Sequence, residues 1–113
     1  MDLATLFESL EELARREIQE KFWIHGDESQ MSTMEEAVCG VFDDADLTHA
    51  IESGYLKEQF SSRLDEKARE LSKLVDRLPY DACPEDLIEL PEMEKVRVVA
   101  GELLAFFKEE TKE

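Results

Sequence analysis

The sequence predicts an all-α protein, a bundle of four main helices and one short helix with the C-terminal helix at its centre. Apolar residues recur every three or four positions along most of the chain, as they do on the buried face of a helix. No stretch alternates apolar and polar residues as a half-buried strand would. The 113 residues suit one domain, and 42% hydrophobic residues suffice for a core. We therefore expect a single domain, 1–113, that folds without metal or disulfide.

The first two predicted helices are separated by a short loop. The first runs from Leu3 to Phe22, and Gly26 ends it. The second begins at Ser32 or Thr33, because a glutamate follows each hydroxyl by three residues, as in a capping box. The sequence thus places 26–30 in a loop.

The middle of the chain predicts one short and one long helix. The short helix follows the acidic cluster 43–46 and ends at Gly54, since glycine suits the left-handed conformation after a helix. The apolar pattern then keeps one phase over 55–78, which predicts a single long helix with a weak point at 61–62. The connector 79–91 holds three prolines, so we expect at most one helical turn there.

The last helix is predicted to begin near Pro91, which suits a first-turn position. Its apolar residues lie on more than one face, so it should have neighbours on two sides. The predicted core residues are Phe22, Leu64, Leu71, Leu74, Val99, Leu103 and Phe106.

Charge is the most informative feature for function. The chain carries a net charge of −16, and no Lys or Arg occurs between Lys21 and Lys57. We call residues 22–56 the acidic region; its carboxylates are Asp27, Glu28, Glu35, Glu36, Asp43, Asp44, Asp46 and Glu52. A second acidic stretch, 78–94, adds six more. Such one-signed charge repels itself and costs stability, which favours a basic partner. It disfavours direct binding to nucleic-acid phosphates or to anionic membranes.

The sequence shows no pattern typical of a targeting segment, a membrane span or a disulfide framework. The first residues lack the basic segment of a secretory signal, and no apolar run approaches the length of a membrane span. Cys39 and Cys83 do not form a C-x-x-C pair, so we expect two reduced thiols. These features predict a cytoplasmic protein.

Motifs for catalysis or cofactor binding are sparse. Asp46 and His49 form one D-x-x-H turn, whereas di-metal sites in helical bundles use a pair of E-x-x-H motifs. His25 at a helix end suits an interaction with the helix dipole. No G-x-S-x-G segment or glycine-rich phosphate loop is present. We therefore expect no enzyme activity, no metal and no cofactor.

One enzyme alternative stays open. Glu17-x-x-Glu20 and Asp43-x-x-Asp46 resemble the magnesium-binding E-x-x-E and E-x-x-D motifs of all-α nucleotide pyrophosphohydrolases of the MazG type. The resemblance implies a magnesium-dependent pyrophosphohydrolase with these four acids as ligands. The second motif starts with Asp where the family has Glu.

The leading hypothesis is a small helical toxin inhibitor. The segment 86–91, D-L-I-E-L-P, resembles the D-L-I-Y-Y-P segment of colicin nuclease immunity proteins, which are acidic four-helix bundles. This segment lacks both tyrosines and the chain is longer, so the resemblance implies functional analogy. The predicted protein is a bacterial immunity protein, a monomer or weak dimer, that inhibits a basic nuclease toxin. The alternative is another acidic helical interaction module, namely a DNA-mimic regulator, an antitoxin without a DNA-binding arm, or an adaptor.

The predicted partner contacts combine carboxylates with an aromatic anchor, since interfaces draw energy from aromatics ringed by polar groups. The candidates are Trp23, Asp27, Glu28, Glu35, Glu36, Asp43, Asp44, Asp46, Tyr55, Asp86 and Glu89. Trp23 or Tyr55 would be the anchor. Asp65 and Glu66 are predicted to lie on a solvent-exposed, salt-bridged helix face outside this surface.

Overall fold

The computed structural model describes residues 2–26 and 32–111, and most of these residues are helical. No strand occurs within those two ranges. The elements are α1 (Leu3–Ala14), α2 (Arg16–Gln19), a first π-helical turn (Glu20–Ile24), α3 (Met34–Cys39), a second π-helical turn (Gly40–Asp44), α4 (Leu47–Glu52), α5 (Tyr55–Gln59), α6 (Ser62–Asp76), α7 (Pro84–Glu89) and α8 (Pro91–Glu110). The predicted contacts Asp27 and Glu28 lie outside the described residues.

The first predicted helix is broken at Arg15, whose backbone is extended at φ −116° and ψ 118°. The break frees the carbonyls of Glu12 and Leu13, and the Gln19 side-chain amide donates to both, at 3.1 and 2.9 Å. Gln19 is fully buried, and its Oε1 accepts from Arg97 Nη1 at 2.8 Å. The continuous helix was therefore the wrong prediction, because a buried side chain replaces the lost helical hydrogen bonds.

The long helix predicted over 55–78 is also divided, at Phe60, where φ is −124° and ψ is −100°. Ser61 starts the next helix, since its hydroxyl oxygen accepts from the Leu64 N–H at 3.2 Å. The same hydroxyl donates to Glu110 Oε2 of α8 at 2.8 Å. The weak point predicted at 61–62 is thus a complete break that yields α5 and α6.

The proline-rich connector contains α7, a six-residue helix with Pro84 in its first turn. Six residues exceed the single turn predicted there. Leu87 and Ile88 point inward from α7 and are buried. The connector therefore contributes to the core.

Helix α8 begins at Pro91, as predicted, and contacts α1, α6 and α7. Within the described ranges the chain forms eight α-helices, so the predicted division into four main helices and one short helix is not confirmed. None of these helices is both long enough and apolar enough to cross a bilayer.

The core predictions are confirmed for Leu64, Leu71, Val99 and Leu103, which are all buried. Phe22, Leu74 and Phe106 are only partly buried and pack against the core. Phe107 takes the fully buried place that was predicted for Phe106, and its ring meets that of Phe60 at a centroid distance of 5.2 Å. Phe106 instead carries the Arg63 guanidinium over its ring at 4.3 Å.

Candidate partner-binding surface

Five predicted contact carboxylates of the acidic region are exposed. We call this set the acidic surface; its members are Glu35, Glu36, Asp43, Asp44 and Asp46. The two glutamates lie in the first turn of α3, where the Thr33 hydroxyl caps the Glu36 N–H at 3.1 Å. Carboxylates are favourable at this end of a helix because of its dipole. The local sequence therefore both starts α3 and presents negative charge there.

The second π-helical turn positions Asp43 and Asp44. Its wider hydrogen bond runs from the Ala45 N–H to the Gly40 carbonyl at 3.0 Å. Gly40 packs against α1 so closely that a Cβ atom there would fall 2.2 Å from Ser9 Oγ. With the inner side of the turn held against α1 in this way, the two aspartates face solvent.

Three of these acids surround one thiol. Burial raises the pKa of Cys39, and the charges of Asp43, Glu35 and Asp44 raise it further. The spacing 35–39–43 explains this grouping, because residues four apart lie on one helix face. The structure therefore brings α3 and π-turn carboxylates together, and it keeps the Cys39 thiol protonated at neutral pH.

No member of the acidic surface forms an ion pair with a Lys or Arg among the described residues. Acids elsewhere are often paired: Arg63 binds Glu109 and Glu110, for example, at 3.2 and 3.3 Å. The acidic surface therefore groups five carboxylates without an ion pair in a part of the chain, 22–56, that holds no Lys or Arg. Other described carboxylates without an ion pair, such as Glu8, Glu66 and Asp76, lie elsewhere on the molecule.

We predict that added salt raises the melting temperature at neutral pH. Salt screens charge repulsion over about 8 Å at physiological ionic strength, and the acidic surface holds like charges with no described basic partner. Thermal unfolding followed by circular dichroism at low and moderate sodium chloride checks this. An unchanged melting temperature would mean that the carboxylates are already too far apart to repel one another.

In the second predicted group of contacts, Asp86 and Glu89 differ in how free their carboxylates are to bind a partner. Glu89 forms an ion pair with Arg16 of α2, and Arg16 also binds Glu20 at 2.9 Å. Asp86 accepts a hydrogen bond from Cys83 Sγ at 3.2 Å and is exposed. Glu89 thus already bridges α7 and α2, and Asp86 is the more available carboxylate.

The two candidate anchors also differ. Trp23 is only 7% exposed, and its Nε1 donates to Glu12 Oε2 at 2.8 Å. A side chain held in this way does not project from the surface, and the role of Trp23 as an anchor stays a prediction. Tyr55 is 39% exposed, packs edge-on against Phe60, and lines a cavity of about 120 Å³ with Asp46. Tyr55 is therefore the more exposed of the two candidate anchors.

Asp65 was wrongly placed on the solvent face of its helix. Its side chain is 1% exposed, and its Oδ2 accepts from Arg69 Nε at 2.8 Å. Arg69 in turn donates to the Ile51 carbonyl at 3.2 Å, which ties α6 to α4. Helical periodicity gave no signal for this, because charged residues on such a stripe normally stay exposed.

Arg97 is a buried polar residue that the sequence patterns did not single out. It is 7% exposed and donates to Gln19, to Glu94 Oε2 at 2.9 Å and to the Ile88 carbonyl at 3.2 Å. The Arg97 guanidinium thus has hydrogen-bond partners on α2, α7 and α8 and links these three helices. Its position among the apolar residues of α8 is the one sequence signal that pointed to burial.

Comparison of the chain with models of protein families, with curated proteins and with solved structures found no significant match. Within the described ranges, no three His, Cys, Asp or Glu side chains are grouped so that they could hold a metal ion. The candidate ligands Glu17, Glu20, Asp43 and Asp46 are accordingly not assembled into such a group.

We predict that chelators leave the melting temperature unchanged. The fold has an extended apolar core, and the described carboxylates do not converge on an ion. Melting with and without EDTA, followed by a titration with magnesium, checks this. Stoichiometric magnesium binding that Glu17→Gln weakens would instead support the pyrophosphohydrolase alternative.

Proposed function

We propose that the protein binds and neutralises a basic protein, and that it acts as a bacterial immunity protein against a nuclease toxin. The observation that carries the proposal is the acidic surface, whose five exposed carboxylates have no described ion-pair partner in a chain of net charge −16. Nucleases hold phosphates in cationic clefts, and an anionic helical surface can occupy or shield such a cleft.

The absence of Lys and Arg from the whole of 22–56, which contains the acidic surface, supports binding over solubility alone. Acids spread evenly over a surface keep a protein soluble, whereas a patch of one sign steers a partner of the opposite sign during diffusion. Glu35, Asp43 and Asp44 act together on the Cys39 thiol, so their fields overlap. Such a patch is built to attract a cation-rich surface.

The proposed scaffold is a bundle organised around α8, acting in the cytoplasm as a monomer or weak dimer. Helix α8 contacts α1, α6 and α7 and carries the largest set of buried side chains of any described helix. The acidic surface lies on α3, on the second π-helical turn and at Asp46, the residue that precedes α4. A size-exclusion profile with light scattering tests the oligomeric state.

A nuclease inhibition assay tests the function. The gene beside this one should encode a toxin with a basic nuclease domain, and the purified chain should suppress digestion of DNA or RNA by that domain at equimolar ratio. A nuclease domain from an unrelated toxin serves as the control and should stay active. Undiminished digestion in an excess of the chain would overturn the proposal.

A further inference from the structure

A cavity of about 230 Å³ lies between the first π-helical turn, α3 and α7. Two aromatic side chains, Trp23 and Tyr80, line it together with the carboxyl-bearing Glu35. The rest of its wall is mostly apolar and consists of Thr33, Met34, Ala82, Pro84 and Leu87. The cavity is smaller than the roughly 300–1,000 Å³ of pockets that take small-molecule ligands, so its size suits a single side chain.

Both aromatic residues are fixed by hydrogen bonds at their polar ends. The Trp23 indole N–H donates to Glu12 Oε2, and that carboxylate also accepts from Ser32 Oγ, both at 2.8 Å. The Tyr80 hydroxyl donates to the Val75 carbonyl, in the last turn of α6, at 2.8 Å. These partners lie outside the residues that line the cavity, so the wall is organised before any ligand binds.

The charge around the cavity is negative. No basic residue belongs to the part of its wall that the structure describes, and Glu35 forms no ion pair with a described Lys or Arg. Burial raises the pKa of Tyr80, and the charges of Asp76 and Glu35 raise it further. A carboxylate beside aromatic rings is the combination that attracts a cation, because the ring faces are electron-rich.

We propose that this cavity receives an arginine side chain of the basic partner, with the guanidinium against Trp23 and Tyr80 and paired with Glu35. Arginine fits better than lysine because its planar group stacks on aromatic rings and binds a carboxylate through two hydrogen bonds. This inference rests on the proposed function and adds the residue type that the surface recognises. Trp23 thus acts as the wall of a receiving pocket.

The test uses the fluorescence of Trp23, the only tryptophan in the chain. The chain is titrated with N-acetyl-arginine amide, and separately with N-acetyl-citrulline amide, which has nearly the same shape without the charge. Ionic strength is held constant so that screening does not change during the titration. We expect a saturable change in the Trp23 signal with the arginine probe and none with the citrulline probe.

Two variants locate the binding. Glu35→Gln should weaken arginine binding about tenfold, since glutamine has no negative charge and offers the guanidinium one acceptor oxygen in place of two. Glu85→Gln, at an exposed position of α7 that neither lines the cavity nor belongs to the predicted contacts, is the matched control and should bind like the unmodified chain. Tyr80→Leu keeps an apolar wall without the π face and should also weaken binding. Unchanged emission spectra of the free variants show that the fold is intact.

The inference is overturned if the arginine probe gives no saturable signal, if citrulline binds equally well, or if Glu85→Gln weakens binding as much as Glu35→Gln. No partner protein takes part in this titration, so a negative result rejects only the arginine pocket. The proposed function is then decided by the inhibition assay. Conversely, if the chain binds the arginine probe but inhibits no nuclease, the arginine pocket is supported and the proposal of a nuclease toxin as partner is rejected.

Discussion

Replacing Asp43 and Asp44 together by lysine should slow association with the inhibited nuclease about tenfold or more at low salt. Both side chains are exposed, and neither forms an ion pair with a described residue, so the substitution removes attraction without breaking an ion pair. Charges that steer an encounter act mainly on the association rate. Stopped-flow or surface-based kinetics measures the rate, and circular dichroism confirms the fold.

The matched control replaces Glu66 and Glu109, which gives the same net charge from α6 and α8. Glu66 is exposed, and the Glu109 ion pair with Arg63 lies at the surface, where such pairs contribute little. Asp65 is unsuitable because it is buried, and Asp46 is unsuitable because its φ of 66° would strain a lysine. Equal slowing by both pairs would mean that net charge alone, with no localised surface, governs association.

Leu103→Ala should lower the free energy of unfolding by about 2–5 kcal/mol, the range for a large-to-small change at a fully buried site. Leu103 is 0% exposed and lies on α8, the helix that contacts α1, α6 and α7. Its truncation leaves a cavity among elements that cannot all close around it. Urea denaturation monitored by circular dichroism gives the value.

Val98→Ala on the same helix is the control. Val98 is 52% exposed, so its truncation should change the free energy of unfolding by no more than about 0.5 kcal/mol. If the two variants lower the free energy of unfolding equally, Leu103 is not packed in the core as its burial indicates.

Helical content and the start of α8 were predictable because both depend on local signals. Apolar spacing marked the buried stripes, and Pro91 occupies the first turn, where its missing N–H is not needed. The break at Arg15 gave no such signal, and near Phe60 the sequence predicted only a weak point at 61–62 within one helix. Each break is stabilised by a side chain whose second partner is distant in sequence, Arg97 for Gln19 and Glu110 for Ser61. Periodicity carries no information about such contacts.

The candidate site shows the same difference between local signals and contacts that are distant in sequence. Exposure of Asp43 and Asp44 followed from their charge, since unpaired carboxylates stay in water. Burial of Trp23 and the pairing of Glu89 with Arg16 depend on how α7 packs beside α2 and the first π-helical turn. That packing also forms the Trp23–Tyr80 cavity, from residues that are far apart in the sequence. The charge was therefore predictable, but the pocket required the fold.

The salt dependence of the association rate of the unmodified chain with the inhibited nuclease tests the central claim most directly. If exposed, internally unpaired carboxylates steer a cationic partner, the rate should fall steeply as sodium chloride rises from low to physiological concentration, while the dissociation rate changes much less. An association rate that stays constant over this range would show that the acidic surface is only hydrated, and that the partner is recognised by other residues.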